Sequence, residues 1–253
     1  MSLIADLLPL SNPLVGDLSK TLRPPEPNHV LGTDELGRDL LSRIVYGTRV
    51  SLTIAFIGAT LGCVIGVMLG LISGYFGGVT DFMVMRVVDA LLSIPSILIA
   101  IALVALTGPG VINMIVALAV GLTPTYVRLV RGVVMQTKNL EFVIAARLLG
   151  LSSVRILTKH ILPNISYVIV AQYTLDLGVS ILFAAGLGFL GLGVQPPTPE
   201  LGSIIGSGKA YMSIAPHVII YPGIVLAVLV AGFNLLGNAL RDVLDPTSKV
   251  MYE

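Results

Sequence analysis

Five long runs of apolar residues limit most strongly what this chain can fold into. They lie at about residues 50–74, 91–106, 111–129, 167–190 and 218–236. Only 11% of the 253 residues are charged, whereas a soluble domain usually carries about 25%. A helix needs about 20 apolar residues to cross the hydrocarbon of a bilayer. The sequence therefore predicts an all-α, multi-pass membrane protein with about five transmembrane helices and no sizeable soluble domain.

Glycine and proline positions add detail to these runs. Glycine recurs at every fourth position of the first run, at Gly58, Gly62, Gly66 and Gly70. This spacing puts the glycines on one helix face, where a second helix can approach closely. Pro95 predicts a kink near the start of the second run, and Gly108-Pro109-Gly110 predicts a tight turn before the third.

The basic residues are unevenly distributed, although the net charge is only +1. Six of the fifteen lie in one segment that holds a single acid, Glu141: they are Arg128, Arg131, Lys138, Arg147, Arg155 and Lys159. Because positive charge collects in cytoplasmic loops, we expect residues 128–164 inside the cell. Alternation then places 75–89 and the C-terminal tail inside, and 1–48, 107–110 and 191–216 outside.

The chain divides into three parts. Residues 1–48 are predicted to be an extracytoplasmic linker, Pro-rich at 23–27, with a short helix capped by Thr33 or Asp34. The transmembrane domain follows at 49–240, and a cytoplasmic tail at 241–253. Near Met1 there is no basic region followed by an apolar core and a cleavage site, so the sequence predicts no secretory signal.

The basic segment contains a short amphipathic helix. Apolar residues recur there at helical spacing, at Leu140, Val143, Ile144, Leu148 and Leu151. Asn139 is the predicted cap, Glu141 suits the first turn, and Gly150 is expected to end the helix. Such a helix either docks into a groove of another protein or lies on the membrane or under the bundle. Periodicity alone does not decide between the two.

Chemistry-bearing residues are sparse. His29, His160 and His217 are scattered, and the single Cys63 lies in an apolar run, so we predict neither a metal site nor a cofactor. Residues 206–210 (GSGKA) are not a phosphate loop, because that pattern needs glycine at position 203 and serine or threonine at position 210, where this chain has Ser203 and Ala210. No catalytic constellation is recognisable, which predicts that the chain is not an enzyme. Asp176 lies within the fourth run and is expected to line a substrate path or to bridge helices.

Four ordered motifs point to a known family. Residues 141–150 (EFVIAARLLG) and 160–164 (HILPN) look like the "EAA" loop of the permease subunits of binding-protein-dependent ABC importers. Residues 31–39, 189–199 and 233–246 narrow the resemblance to the inner-membrane permeases of the dipeptide, oligopeptide and nickel subfamily. The resemblance covers about residues 20–247.

This resemblance implies a type I ABC importer transmembrane domain in the cell inner (cytoplasmic) membrane. The implied partners are a second homologous permease, two cytoplasmic ATP-binding subunits that hydrolyse ATP, and an extracytoplasmic solute-binding protein. The chain would supply half of the translocation pore, and its EAA loop, at about 135–164, would couple to the ATPase. The implied coupling residues are Glu141, Ala145, Ala146, Gly150, Leu162, Pro163 and Asn164.

Peptides are the substrate that the resemblance favours, with a nickel chelate or glutathione as alternatives within the same family. A stand-alone secondary transporter or channel is the alternative of a different class. Such transporters are typically built from internal repeats with broken helices near the midplane, and no repeat is apparent in this sequence.

The chain departs from the family pattern in three places. Ile144 stands where the motif has a glutamate, and residues 184–188 read AAGLG where the family commonly has EASLS. Family members also begin with a membrane helix, which is apparently missing here; only residues 4–10 resemble a remnant of it.

Overall fold

The computed structural model describes residues 9–244. Most of the predicted helix remnant at 4–10, the start of the N-terminal linker and most of the C-terminal tail lie outside the described residues. The α-helices are α1 (Leu40–Phe76), α2 (Gly78–Leu92), α3 (Ser96–Thr107), α4 (Val111–Thr137), α5 (Glu141–Leu148), α6 (Ser153–Arg155), α7 (Leu162–Phe189), α8 (Leu201–Gly208) and α9 (His217–Leu244). Short 3-10 helices lie at Leu18–Lys20 and Lys209–Tyr211, and a π-helical segment at Ile156–Ile161 joins α6 to α7.

The described helices confirm the predicted membrane architecture. Four stretches are long and apolar enough to cross a bilayer: α1, α4, the continuous stretch Ser153–Phe189 that ends in α7, and α9. Helices α2 and α3 meet at 88° and count together as a fifth, broken span. The prediction of an all-α membrane domain with about five spans is therefore confirmed.

Proline and glycine set the helix breaks between α1 and α4. The predicted kink at Pro95 is the sharp bend between α2 and α3, and the predicted turn at 108–110 separates α3 from α4. The connector expected at 75–89 is mostly helical instead, because only Gly77 separates the end of α1 from the start of α2 at Gly78. The φ angles of Gly77 and Gly78 are +66° and +55°. Glycine adopts this left-handed conformation without strain, so the chain turns and resumes a helix at once.

The N-terminal segment differs from the expected linker. The predicted short helix and first span form one helix that begins at Leu40. Neither Thr33 nor Asp34 caps it: the Asp39 carboxylate accepts a hydrogen bond from the Ser42 amide at 2.8 Å. Asp34 instead lies buried in the segment before the helix. Nothing in residues 45–49 breaks a helix, since a single glycine is tolerated there.

The glycine stripe of α1 packs against the backbone of α4. A Cβ atom built on Gly62 would lie 3.0 Å from the Ala119 carbonyl oxygen, and one on Gly70 would lie 2.9 Å from that of Val127. Gly66 and Gly74 make equivalent approaches one turn away. The two helices thus meet backbone to backbone over several turns, which confirms the predicted close packing.

Gly70→Ala is expected to destabilise this contact. The added methyl carbon would lie 2.8 Å from the Val130 Cβ and 2.9 Å from the Val127 oxygen, and neither atom can yield without moving α4. Overpacking of this kind costs about 1–3 kcal/mol. The control is Gly132→Ala in α4, where nothing lies within 4 Å of the new atom; it should be neutral or stabilising by up to about 1 kcal/mol. Apparent melting temperatures of the two purified variants test this, and equal melting temperatures would contradict the packing role.

The chain divides into two compact units. Unit 1 contains Met1–Gly58, Ile101–Leu118 and Leu177–Gly232, and unit 2 contains Ala59–Ala100, Ala119–Asp176 and Phe233–Glu253. Every segment expected outside the cell from the charge pattern belongs to unit 1. The segments expected inside belong to unit 2. The grouping of these segments agrees with the alternation derived from basic residues.

Candidate functional site

Helix α5 spans Glu141–Leu148 and contains three of the predicted coupling residues, Glu141, Ala145 and Ala146. Leu140 is its N-cap in an extended conformation, and no side chain caps its first turn. The prediction that Asn139 is the cap is therefore wrong, because its side-chain amide donates back to the Met135 carbonyl at 3.1 Å. Glu141 in the first turn complements the helix dipole, as expected.

One face of α5 is anchored in unit 2. Val143 and Ala146 are buried within an apolar cluster that also contains Val134, Ile156 and Ile161. This cluster joins α5 to the end of α4 and to the π-helical segment that follows. Ala146 is only 4% exposed, so its small side chain permits close packing inside the unit. Of the two paired alanines, Ala146 is therefore a packing residue.

The opposite face of α5 is apolar and exposed. Leu140, Ile144 and Leu148 are separated by four residues each, form one stripe, and are 51%, 44% and 83% exposed. Ala145 and Glu141 lie beside this stripe and are also exposed. The periodicity assigns Val143 and the stripe residues to a single apolar face. In the structure Val143 is buried together with Ala146, whereas the three residues of the stripe are exposed. We call Leu140, Glu141, Ile144, Ala145 and Leu148 the exposed α5 face.

Gly150 ends the helix, as its position predicts. The Gly150 amide donates to the Arg147 carbonyl at 3.0 Å, and the Leu151 amide donates to the Ala146 carbonyl at 3.2 Å. These two bonds form a Schellman motif, which requires a left-handed residue; the φ of Gly150 is +74°. Leu151 packs against the apolar cluster. The chain that leaves α5 is therefore held by the same apolar cluster that buries Val143 and Ala146.

The last predicted coupling residues lie at the start of α7. Leu162 is half-buried against the apolar cluster, whereas Pro163 and Asn164 are exposed. The Asn164 side-chain amide donates to the His160 carbonyl at 2.6 Å. The π-helical segment Ile156–Ile161 lies directly before them, and π-helical turns are found frequently at functional sites.

Asp176 lies on α7 and is only 6% exposed. Its Oδ1 accepts a hydrogen bond from the Gln172 amide at 3.0 Å. Its Oδ2 makes no hydrogen bond of standard geometry among residues 9–244, although the Tyr126 hydroxyl, which also lacks such a bond, lies close to the carboxylate. Tyr126 of α4 and Cys63 of α1 are its electrostatic neighbours. A buried carboxylate with one unpaired oxygen is costly, so this position requires a physical reason.

No three His, Cys, Asp or Glu residues lie together as a metal site within 9–244. The scattered histidines have separate surroundings; His29 Nδ1 lies 3.0 Å from the Asp39 carboxylate, for example.

Comparison with known proteins identifies the family. The model of the family described as "binding-protein-dependent transport system inner membrane component" matches residues 66–250. The dipeptide transport system permease protein DppC of Alkalihalophilus pseudofirmus is 42% identical over 249 residues, which cover 98% of this chain and 82% of that protein. The glutathione transport system permease protein GsiD of Escherichia coli is 45% identical over 225 residues, 89% of this chain and 74% of that protein.

The chain belongs to this family. It is a permease of an ABC importer and a multi-pass membrane protein, as the four motifs indicated. A solved structure of the MetNI methionine ABC transporter in an inward-facing conformation supports the fold. It matches 81% of this permease and 98% of its own chain with a TM-score of 0.66, at 23% identity.

The basic residues of the permease are less available than their clustering suggests. The Arg131 guanidinium makes two hydrogen bonds to the Asp81 carboxylate, at 2.5 and 2.6 Å. Lys138 donates to the Gly74 carbonyl at 2.7 Å, near the end of α1. Arg128 likewise bonds Asp89 at 2.7 Å. These three cations hold α1 and α2 within unit 2, so partners within the chain already engage half of the six basic residues at 128–164.

Sequence reasoning missed Glu200, the residue before α8 in unit 1. Its side chain is fully buried, accepts hydrogen bonds from the Gly202 and Ser203 amides, and bonds the Ser51 hydroxyl of α1 at 2.8 Å. The region expected to be only a loop therefore contains a capped helix tied to α1. Serine, threonine, asparagine and aspartate are the preferred cap residues, so a glutamate gave no local signal.

Proposed function

We propose that this permease forms half of the pore of a peptide importer and transmits the motion of cytoplasmic ATP-binding subunits through α5. The exposed α5 face carries this proposal. Its outer stripe is apolar, while its inner residues Val143 and Ala146 are packed into unit 2. A helix held firmly on one side and exposed on the other can pass a displacement into the bundle.

The family motif supports the same assignment. We propose Glu141 and Ala145 as contacts of the ATPase, Ala146 and Gly150 as residues that set the shape of α5, and 162–164 as the link into α7. Ile144 replaces a motif glutamate and is 44% exposed. An apolar contact therefore replaces a polar one at this position.

The proposed assembly contains this chain, a second homologous permease, two ATP-binding subunits that hydrolyse ATP, and an extracytoplasmic solute-binding protein, in the cell inner membrane. Helix α9 offers a large apolar surface for lipid or the second permease, with Val228 and Leu235 exposed by 64% and 72%. The C-terminal end of α9 and the α5 segment would face the cytoplasm, since both belong to unit 2.

Small peptides are the proposed substrates. The relatives that match most of this chain are named for dipeptide and glutathione transport, and glutathione is itself a peptide. Glutathione is therefore the second candidate within the same chemical class. Uptake of labelled dipeptide, tripeptide and glutathione by vesicles that contain the full complex would separate the two.

Co-purification tests the assembly directly. A tagged permease expressed with its neighbouring transport genes is expected to bring down an ATP-binding subunit whose ATPase activity rises when the permease is present. Isolation of the permease without any ATP-binding subunit, together with uptake that needs no ATP, would instead favour a secondary transporter or channel.

We also propose that Asp176 faces the substrate path in one of the transport conformations. The unpaired Oδ2 would then meet the amino group of a peptide, which offers the missing donor. Asp176→Asn is expected to lower uptake about tenfold or more through a raised KM, since hydrogen bonds to charged groups contribute about 1.5–3 kcal/mol. Thr174→Val, two residues earlier on α7, is the control. If Asp176→Asn lowers the melting temperature and leaves KM unchanged, Asp176 bridges helices instead.

A further inference from the structure

A cavity of about 220 Å³ lies in unit 2 among residues of α4, α7 and α9. Leu129, Val168, Ala171 and Leu175 supply apolar wall. Three polar side chains also line it: Tyr167, Gln172 and Arg241. The cavity thus combines an apolar surface with a positive charge and further hydrogen-bonding groups. None of the functions proposed above uses it.

Arg241 is the unusual member of this set. Among the residues that the structure describes, its guanidinium has no hydrogen-bond or ion-pair partner, whereas Arg131 and Lys138 of the same unit make two hydrogen bonds each. The adjacent Asp242 has interactions, so an acid lies beside Arg241 in the sequence, although the two do not form an ion pair with each other.

The position of Arg241 is set by close helix packing. Gly237 lies one turn earlier on α9, and a Cβ atom there would come within 2.8 Å of the Leu175 Cγ and 3.0 Å of the Leu175 amide nitrogen. Helices α9 and α7 therefore touch where the glycine removes the side chain. This contact holds the start of the Arg241 side chain at the wall of the cavity. The side chain is exposed, so its five donors can reach an anion that enters there.

The size of the cavity restricts its ligand. Pockets for drug-sized molecules measure about 300–1,000 Å³, so 220 Å³ suits a small head group rather than a whole peptide. Apolar side chains of α9 are exposed in the same unit: Leu235, Leu236 and Val243 are 72%, 55% and 73% exposed. They offer a surface along which hydrocarbon chains can lie.

We propose that this cavity binds the phosphate of an anionic phospholipid of the cytoplasmic leaflet. Arg241 would hold the phosphate through two parallel N–H donors, with the Tyr167 hydroxyl and the Gln172 amide as further donors. Basic pockets between transmembrane helices on the cytoplasmic side are suited to anionic head groups. The proposal rests on the cytoplasmic orientation of α9 given under the proposed function, but not on the substrate or on coupling.

Native mass spectrometry of the full transporter complex tests the proposal. The complex is reconstituted with phosphatidylglycerol or phosphatidylcholine, and retained lipids are counted on the permease. We expect preferential retention of phosphatidylglycerol and about fivefold weaker retention for Arg241→Gln, because one cation near the membrane surface contributes about 1 kcal/mol to anionic lipid binding. Arg241→Lys keeps the charge and should retain most of the lipid. Arg86→Gln, at an exposed arginine of α2 in the same unit, should match the wild type.

Three results would overturn the proposal. Equal retention of phosphatidylcholine would show that charge is not recognised. If glycerol phosphate displaces the lipid and raises the melting temperature of the delipidated complex as much as phosphatidylglycerol does, the cavity is a site for a soluble anion. If Arg241→Gln weakens the association of the two permeases and leaves lipid retention unchanged, Arg241 contacts the partner permease instead of a lipid. Intact co-purification of the ATPase in these experiments would leave the coupling function standing, so the two proposals fail separately.

Discussion

Replacing Ala145 by arginine is expected to abolish ATP-driven uptake while the permease remains folded. Ala145 is exposed on α5 beside Ile144 and Leu148, so a long side chain there meets solvent in the isolated chain. Arginine is nearly as good a helix former as alanine, and Glu141 four residues earlier can pair with it. At a packed interface the same side chain would instead place a long, charged group between the apolar stripe and the partner. A loss of about 2 kcal/mol or more, typical of an interface hot spot, weakens docking about 30-fold.

The measurement compares ATPase stimulation and peptide uptake in vesicles that contain the full complex. Gln136→Arg is the matched control: it adds the same charge at an exposed position in the last turn of α4, outside α5. Ala146→Arg gives the contrast, because burial of arginine in the apolar cluster should prevent folding. If Ala145→Arg transports at the wild-type rate with normal ATPase stimulation, α5 does not couple the two subunits.

Local patterns predicted much of the fold. The spacing of Gly62, Gly66 and Gly70 predicted a helix face, and the structure places an α4 backbone against it. Gly150 predicted the end of α5 because a left-handed residue is needed where a helix stops in a Schellman motif. In both cases a few neighbouring residues contain the whole signal, since the physical requirement is local.

The sequence alone could not predict which face of α5 is buried. Its apolar residues surround most of the helix, so periodicity cannot distinguish Val143, which is buried, from Ile144, which is exposed. Only the partners of each face decide this, and they come from α4 and from the π-helical segment. The paired alanines received the same role for the same reason, although Ala145 and Ala146 point to different surroundings.

Distant polar pairs were equally hidden. Arg131 bonds an acid 50 positions earlier in the chain, and Glu200 bonds a serine 149 positions earlier. Counting basic residues in a window cannot reveal such partners. It indicates which side of the membrane a segment is expected to occupy, but not whether each cation is free to bind another protein.

A buried charge cluster forms the centre of the N-terminal segment before α1. The Oδ1 atom of Asp34 accepts hydrogen bonds from the Leu36 and Arg38 amides, both at 2.9 Å. Its Oδ2 lies 2.6 Å from Arg38 Nε and 3.0 Å from Arg43 Nε. Asp34 is 1% exposed and the two arginines are 5% and 6% exposed. Asp34 therefore pairs with both buried cations and shapes the turn between them. Glu35 supplies the second negative charge, at 3.0 Å from Arg38.

Asp34→Ala is expected to destabilise unit 1 by about 3–5 kcal/mol, because removing one partner of a buried pair leaves uncompensated charge. Asp34→Asn keeps an oxygen for the turn amides but loses the ion pairs, so its loss should be smaller. The control is Asp17→Ala in the same segment, where an exposed carboxylate bonds Ser19; its effect on stability should be small. Apparent melting temperatures and protease resistance of the N-terminal segment measure the series. If Asp34→Ala and Asp17→Ala melt alike, the cluster contributes no more than a surface contact, and the buried arginines must be balanced by other groups.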